Sequence, residues 1–559
     1  RPSLHRDLLR DRLDVIPLAS LSALALHVAA VPDAARRGFV VHAPALAEVA
    51  REWEAYRRAD GWTVECVEAR AGASAEEVRD ELARRLRAAS PERDAQVAVL
   101  LLGDEACDAD ARVPTFHIAQ SDPDLLGHQR HEANPTFAAD RPYATAAADV
   151  PCRLALGRVP ASTPDEARAI LAKVRDYESG AAPSDAADRL EFVAGEARFG
   201  VFDPIFEQLF VAFVDECVPP RFRVHVTYAK PSSPWCPPPA SMERTVLERL
   251  ASGALAITYT GHGHPHGLDR LSWRGADGKE RSEPILRAEA AASAAGDTAL
   301  RPVAILSCCS TGWFDRPDGR DSLAEALLAN PEGPIAVVAG TRVTHPYANA
   351  LVVKEYLSTL LASPGATIGE IDRRARDAML ETDDRDRRLE ALVEPIAKWT
   401  RWRTSLPDLR TMHVNMYVLL GDPMLRVATP PVELTSLMRD GDAIAATLDG
   451  AVSGTATVTV ETELGEPADP SALQPAAAND DVAARTARNY PLANERVLWR
   501  ATATLSDGRV RADLPSPLPP RAAVIRVRVD GVRADGSPVR AAGARRVAPV
   551  GARAPLPAH

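Results

Sequence analysis

The sequence predicts an α/β protein, with two units of mostly parallel sheet flanked by helices and a β-sandwich after them. Three observations carry this prediction. Strand-like and helix-like segments alternate as far as about residue 428. Several strand-like segments, such as Gln96–Leu102 (QVAVLLL), are apolar throughout, as in strands covered on both faces. From Pro430 the pattern turns to alternating segments separated by Gly, Asp and Pro.

In the first unit, Gly38–Ala43 reads as a short buried strand and Ala45–Ala59 as a helix ending at Asp60-Gly61. Trp62–Glu68 alternates like a strand, and Ser74 with Glu77 has capping-box spacing at a helix start. Asp104–Asp149 is irregular and reads as a long surface excursion. Order returns at Arg153–Leu156. Thr163 then caps a helix that has Pro164 at its first position and Glu166 completing the box. Ser179–Asp188 reads as a linker.

The second unit has strands at Phe192–Gly195, Ala254–Thr260, Val303–Cys308 and Pro334–Ala339. Its helices fall at Ile205–Cys217, Met242–Leu250, Ser322–Ala329 and Ala348–Leu361. Thr455–Glu461, Val497–Leu505 and Ala523–Val529 are the clearest strands of the last part. The expected domains are an N-terminal extension (1–37), a first α/β subdomain (38–180), a second, catalytic one (181–428) and an immunoglobulin-like β-sandwich (429–559).

At 559 residues the chain is too long for one core. With 46% apolar and 26% charged residues it is globular rather than disordered. A formal net charge of −11 argues against a nucleic-acid partner. The arginines of Arg373-Arg374-Ala375-Arg376 are interleaved with acids and read as a solvated helix face. The greasiest early segment, Leu18–Pro32, is too short to span a bilayer, and the residues before it lack a signal-peptide layout. The start at Arg1 reads as a mature or trimmed form, and an exported or cell-envelope location is the expectation. The 7 cysteines are sparse, odd in number and without CxxC spacing, so neither a disulfide framework nor a zinc site is indicated.

Two strand ends carry the chemistry. Ile257–Gly263 runs from an apolar strand into Gly261-His262-Gly263, and Val303–Gly312 runs into Cys308-Cys309-Ser310. Reactive groups collect at the carboxyl ends of parallel strands. A thiol of ordinary pKa, about 8.5, is mostly protonated at neutral pH; a nearby imidazole raises the thiolate fraction and returns a proton to the leaving amine. Side chains alternate along a strand, so Cys308 and Cys309 face opposite ways. Cys309, last before the turn, is the candidate nucleophile and Cys308 a small core residue. Glycines beside His262 allow close backbone approach, and the N–H groups of Gly263 and Cys309 are the candidate oxyanion hole, worth about 3–4 kcal/mol.

These segments resemble the gingipain family of cysteine peptidases, which share the caspase fold. The likeness covers roughly Gly38 to Val427. Its motifs are Leu101-Leu102-Gly103-Asp104, Leu156-Gly157-Arg158, Tyr177-Glu178, Tyr259-Thr260-Gly261-His262-Gly263, Cys309–Phe314 (with Thr311 where the family pattern has Asn), Ser322–Leu327 and Gly421-Asp422-Pro423. The Cys and His lie roughly 50 residues apart, as in caspases. The resemblance implies two caspase-like αβα units and cleavage of protein or peptide substrates through a thioester.

It also implies site residues. Glu196, after Phe192–Gly195, would orient His262; a cap or surface ion pair is the bland alternative. Asp203, with Glu207 four residues on, would meet a basic P1 side chain, although Asp203 before Pro204 also suits a helix cap. Thr341–Tyr347, ending in Tyr347, would wall the pocket. No cofactor is required, and structural Ca²⁺ is what the resemblance allows. His262, His264 and His266 invite a metal reading, but no further ligand follows at suitable spacing, and none is assigned. Phe314–Asp321, rich in turn formers, is expected as an exposed loop in which Arg316 and Arg320 are accessible to self-cleavage. The rival reading is a catalytically silent or self-processing-only scaffold of the same fold.

Overall fold

The apolar runs become the strands of one large sheet in the computed structural model. It describes residues 35–547 except 94, 123–124, 126–134, 146–152, 180–185, 197–216, 276, 295–299, 429, 478–479 and most positions from 384 to 402. Ten strands make up this sheet: β1 (Arg36–His42), β2 (Thr63–Glu68), β3 (Gln96–Leu102), β4 (Arg153–Val159), β5 (Arg189–Gly195), β6 (Arg223–Ala229), β7 (Ala256–Thr260), β8 (Val303–Ser307), β9 (Ala336–Gly340) and β10 (Tyr417–Leu420). Their order is β2-β1-β3-β4-β10-β9-β8-β7-β5-β6. β8 and β9 are buried along their whole length, as their unbroken apolar sequence demands.

The two expected α/β units are thus joined edge to edge rather than carrying separate sheets. The joint is β10, which is antiparallel to β9 and meets β4 at the single pair Leu420–Arg158. Lys173, from the helix Pro164–Ser179 of the first unit, crosses the same boundary. Its buried ammonium donates to the carbonyls of Leu328, Asn330 (2.9 Å) and Pro334 (3.0 Å), capping the end of helix Leu323–Ala329.

Local signals hold where they were strongest. Ser74 and Glu77 form the capping box, and Thr163 and Glu166 exchange hydrogen bonds of 3.2 Å. Two surface expectations fail. The excursion after Asp104 is pinned to the core, because Asp140 and Tyr143 within it are buried and Asp140 pairs with the fully buried Arg158. Arg376 does not lie on a solvated face. It is 8% exposed and forms a two-bond pair with Asp372. The expected helix Ile205–Cys217 lies almost wholly outside the described residues.

The C-terminal strands are β11 (Val432–Glu433), β12 (Ser436–Asp440), β13 (Ala443–Thr447), β14 (Val452–Glu461), β15 (Val497–Ser506), β16 (Arg509–Asp513), β17 (Val524–Arg533) and β18 (Pro538–Arg546). They form one hydrogen-bonded sheet, β11-β18-β17-β14-β15-β16-β13-β12, which curls until β12 lies against β18. A helix between β14 and β15, Val482–Asn494, docks this module on the large sheet. The Asn494 amide pairs with both the N–H (2.8 Å) and the C=O (3.0 Å) of Val226, covering the edge strand β6.

Candidate functional site

β5, β7 and β8 are parallel neighbours, so their carboxyl ends emerge side by side. Ala194 pairs with Thr260, and Thr260 with Ser307. Glu196, His262 and Cys309 each follow two residues after these paired positions, past the strand ends. The register therefore leads the three segments that the sequence singled out to the same edge of the sheet.

Small residues let these ends pack closely. The Tyr259 hydroxyl donates to the His262 carbonyl at 2.8 Å, and a Cβ on Gly195 or Gly261 would lie 2.7 or 2.6 Å from that hydroxyl. A Cβ on Gly263 would lie 2.8 Å from the Cys308 sulfur and 2.9 Å from the Cys309 carbonyl. The His segment thus rests directly on the Cys segment. Gly263 then pairs with Leu268 in a short hairpin.

The turn after β8 is held open at a local cost. Ser310 adopts φ +56°, a left-handed conformation unusual for a residue other than Gly, Asn or Asp. Three hydrogen bonds of 2.9 Å hold it there: Ser310 N–H to the Arg342 carbonyl, Gly312 N–H to that of Gly340, and Ala324 N–H to that of Thr311. Cys309 is half-buried, whereas Cys308 is fully buried with its sulfur 3.4 Å from the Thr311 hydroxyl. Burial raises the Cys308 thiol pKa well above the ordinary range.

Other expectations are corrected. Tyr347 is 3% exposed, and its hydroxyl donates to Glu390 and accepts from Arg410, both at 2.8 Å. These two charged partners hold its hydroxyl inside. Arg316 is also buried, paired with Asp318 and against the His266 ring, so only Arg320 of the two arginines is exposed. Phe314 and the Asp315 side chain are buried too, leaving Pro317–Asp321 as the exposed part of that stretch. Asp203 and Glu207 lie outside the described residues. Among the described residues, no group of three or more His, Cys, Asp or Glu side chains is arranged to hold a metal ion, whether around His264 and His266 or in the acidic loops.

Sequence reasoning named the loop Thr341–Tyr347 as a pocket wall but missed how its residues back Cys309. Arg342 is fully buried, forms two hydrogen bonds of 2.7 and 2.6 Å with Asp315, and lies 4.5 Å from the Trp313 ring centre. Asp315 also bonds His117 at 3.0 Å, and this bond raises the pKa of that imidazole. Thr344 from the same loop points its N–H at the Cys309 sulfur, 3.4 Å away. The only signal in the sequence was the position of the loop after a core strand. A cavity of about 550 Å³ lies elsewhere, between helix Ile368–Leu380 and strands β4 and β10, and none of Glu196, His262 or Cys309 lines it.

The model of peptidase family C25 matches residues 32–428. None of the curated proteins matches the chain in sequence. A solved structure described as "Structure of Protease" is similar with a TM-score of 0.50 and 14% identity, over 91% of this chain and 97% of that one. The complex of the pro- and mature domains of RgpB from Porphyromonas gingivalis aligns at a TM-score of 0.46 and 14% identity, over 90% and 99%. At such identities the first likeness is one of fold.

Proposed function

The chain belongs to peptidase family C25 and is a cysteine peptidase; on that premise we propose that Cys309 is the nucleophile and His262 its acid–base partner. The observation that carries this reading is that both follow the carboxyl ends of the paired parallel strands β7 and β8, with Gly263 packed against the Cys309 carbonyl. The Cys309 thiolate attacks the scissile carbonyl, and the N–H groups of Gly263 and Cys309 receive the developing oxyanion. His262 protonates the leaving amine, and water then hydrolyses the thioester with His262 as base. Glu196, just past the end of the neighbouring strand β5, orients the imidazole. Asp203 meets a basic P1 side chain with a bidentate preference for Arg. The domain limits 38–180, 181–428 and 429–559, an immunoglobulin-like kinship of the curled sheet, structural Ca²⁺ and an exported location belong to the same proposal.

The test is labelling with a peptide that ends in a thiol-reactive group, followed by mapping of the modified residue, and a substrate panel varying only P1. Label on Cys309 with hydrolysis of Arg substrates is the expected result. Label on Cys308 would overturn the nucleophile, and labelling without turnover of any peptide would favour a self-processing protein. An Arg preference untouched by Asp203→Asn would return Asp203 to a helix cap.

A further inference from the structure

We propose that Thr344 stabilises the Cys309 thiolate through its backbone N–H and its hydroxyl, and so sets the fraction of enzyme ready to attack. This inference rests on the reading of Cys309 as nucleophile. The Thr344 amide nitrogen lies 3.4 Å from Sγ and the hydroxyl oxygen 3.7 Å away. The Thr344 carbonyl, 3.8 Å from Sγ, accepts from the neutral thiol. One residue thus serves both protonation states: the carbonyl receives the S–H, and the two donors receive the charge once the proton has left. Donors aimed at an ion in a site shielded from water count for more than the same donors in solvent, and Thr344 is only 4% exposed.

The loop that carries Thr344 is fixed on several sides. The Thr341 hydroxyl bonds the carbonyls of Ala138 (2.8 Å) and Met416 (3.0 Å). The His345 N–H donates to His413 Nε2 at 2.7 Å. A Cβ on Gly340 would lie 2.7 Å from the Thr344 methyl, so Gly340 lets the loop fold back on β9. Near Thr344 lies the buried Tyr417, whose hydroxyl donates to Asn349 Oδ1 at 2.7 Å.

Other titratable groups surround the sulfur. Cys308 lies beneath it and Tyr417 behind it, both kept uncharged by burial. Arg342 and Asp315, on the flanking loops, neutralise each other. His345 and His413 brace the loop, and His262 and Glu196 stand on the neighbouring strand ends.

The experiment is the pH dependence of Cys309 alkylation by iodoacetamide in the full chain, with the labelled residue mapped. Thr344→Val keeps the shape and the backbone N–H but removes the hydroxyl. Its alkylation midpoint should rise by about 0.5–1 pH unit, a roughly three- to tenfold loss of thiolate at a fixed pH below it. Thr344→Ser should stay near wild type, and Thr344→Ala serves in place of the valine variant should that one fail to fold. An unshifted midpoint in Thr344→Val and Thr344→Ala would overturn the proposal, as would an equal shift in Thr344→Ser, which would point to lost packing of the methyl. Alkylation needs no turnover, so an inactive enzyme would count against the peptidase reading and leave this test decidable.

Discussion

The first unit and the second present the same kind of strand end, yet one is plugged and the other is open. At the ends of β3 and β4, Gly103 and Arg158 meet a closed set of partners. The Arg158 guanidinium makes two hydrogen bonds of 2.7 Å to Asp140 and donates to the carbonyls of Gly103 and Val113 at 2.8 Å, with the Phe314 ring centre 4.9 Å away. At the ends of β7 and β8, Cys309 is only half-buried. A polar residue at a strand end is thus not a site in itself. The two ends also depend on each other, since Phe314 comes from the nucleophile segment.

Replacing Cys309 tests the open end most severely. With Cys309 as the proposed nucleophile, Cys309→Ala should lower peptide cleavage by about a thousandfold or more. Cys308→Ala should keep most of the activity, and thermal unfolding should show both variants folded. Equal loss in the two would remove the distinction between the buried and the half-buried cysteine on which the assignment stands.

Breaking the plug should act on stability instead. Arg158→Met leaves Asp140 buried without its cation, at a cost of about 3–5 kcal/mol in denaturant unfolding. The double variant Arg158→Met/Asp140→Leu should recover much of that loss. A single variant as stable as the wild type would mean that the pair is dispensable and the comparison misplaced.

The smallest effect concerns acid. His413 is buried, with Nδ1 2.7 Å from the Leu409 carbonyl and Nε2 accepting from the His345 N–H, and burial pushes its pKa down to about 3 from the usual 6.5. Between those values the unfolded chain binds the proton and the folded one does not, so stability rises with pH in that range. The contribution is fully present above about pH 6.5 and is lost as the pH falls towards 3. The plug keeps its guanidinium charge throughout. Acid should therefore loosen the 344–345 loop before the Arg158 end, seen as faster amide exchange there. His413→Gln should flatten the dependence of unfolding free energy on pH, and an unchanged slope would show that other groups carry it.

The sequence by itself determined the parts that depend on neighbours along the chain. Strand runs such as Val303–Ser307, the capping boxes at Ser74 and Thr163, and the Gly-His-Gly and Cys-Cys strand ends all express short-range periodicity and backbone preference. Burial and pairing across long separations came only with the tertiary structure. The turn formers around Arg316 predict exposure, but His266 and Asp318 hold it inside, and only the fold shows that Arg410 and Glu390 hold the hydroxyl of Tyr347. The four-residue strand β10 is too short to stand out by pattern, yet it joins the two units. The β-rich tail shows its strands by alternation, while their closure into one curled sheet depends on which edges meet. Thr344 looks like any loop residue until β9 and β8 are set side by side. A local signal reports on dihedral preferences within a few residues, whereas the environment of a side chain is the sum of contacts that only the folded chain brings within reach.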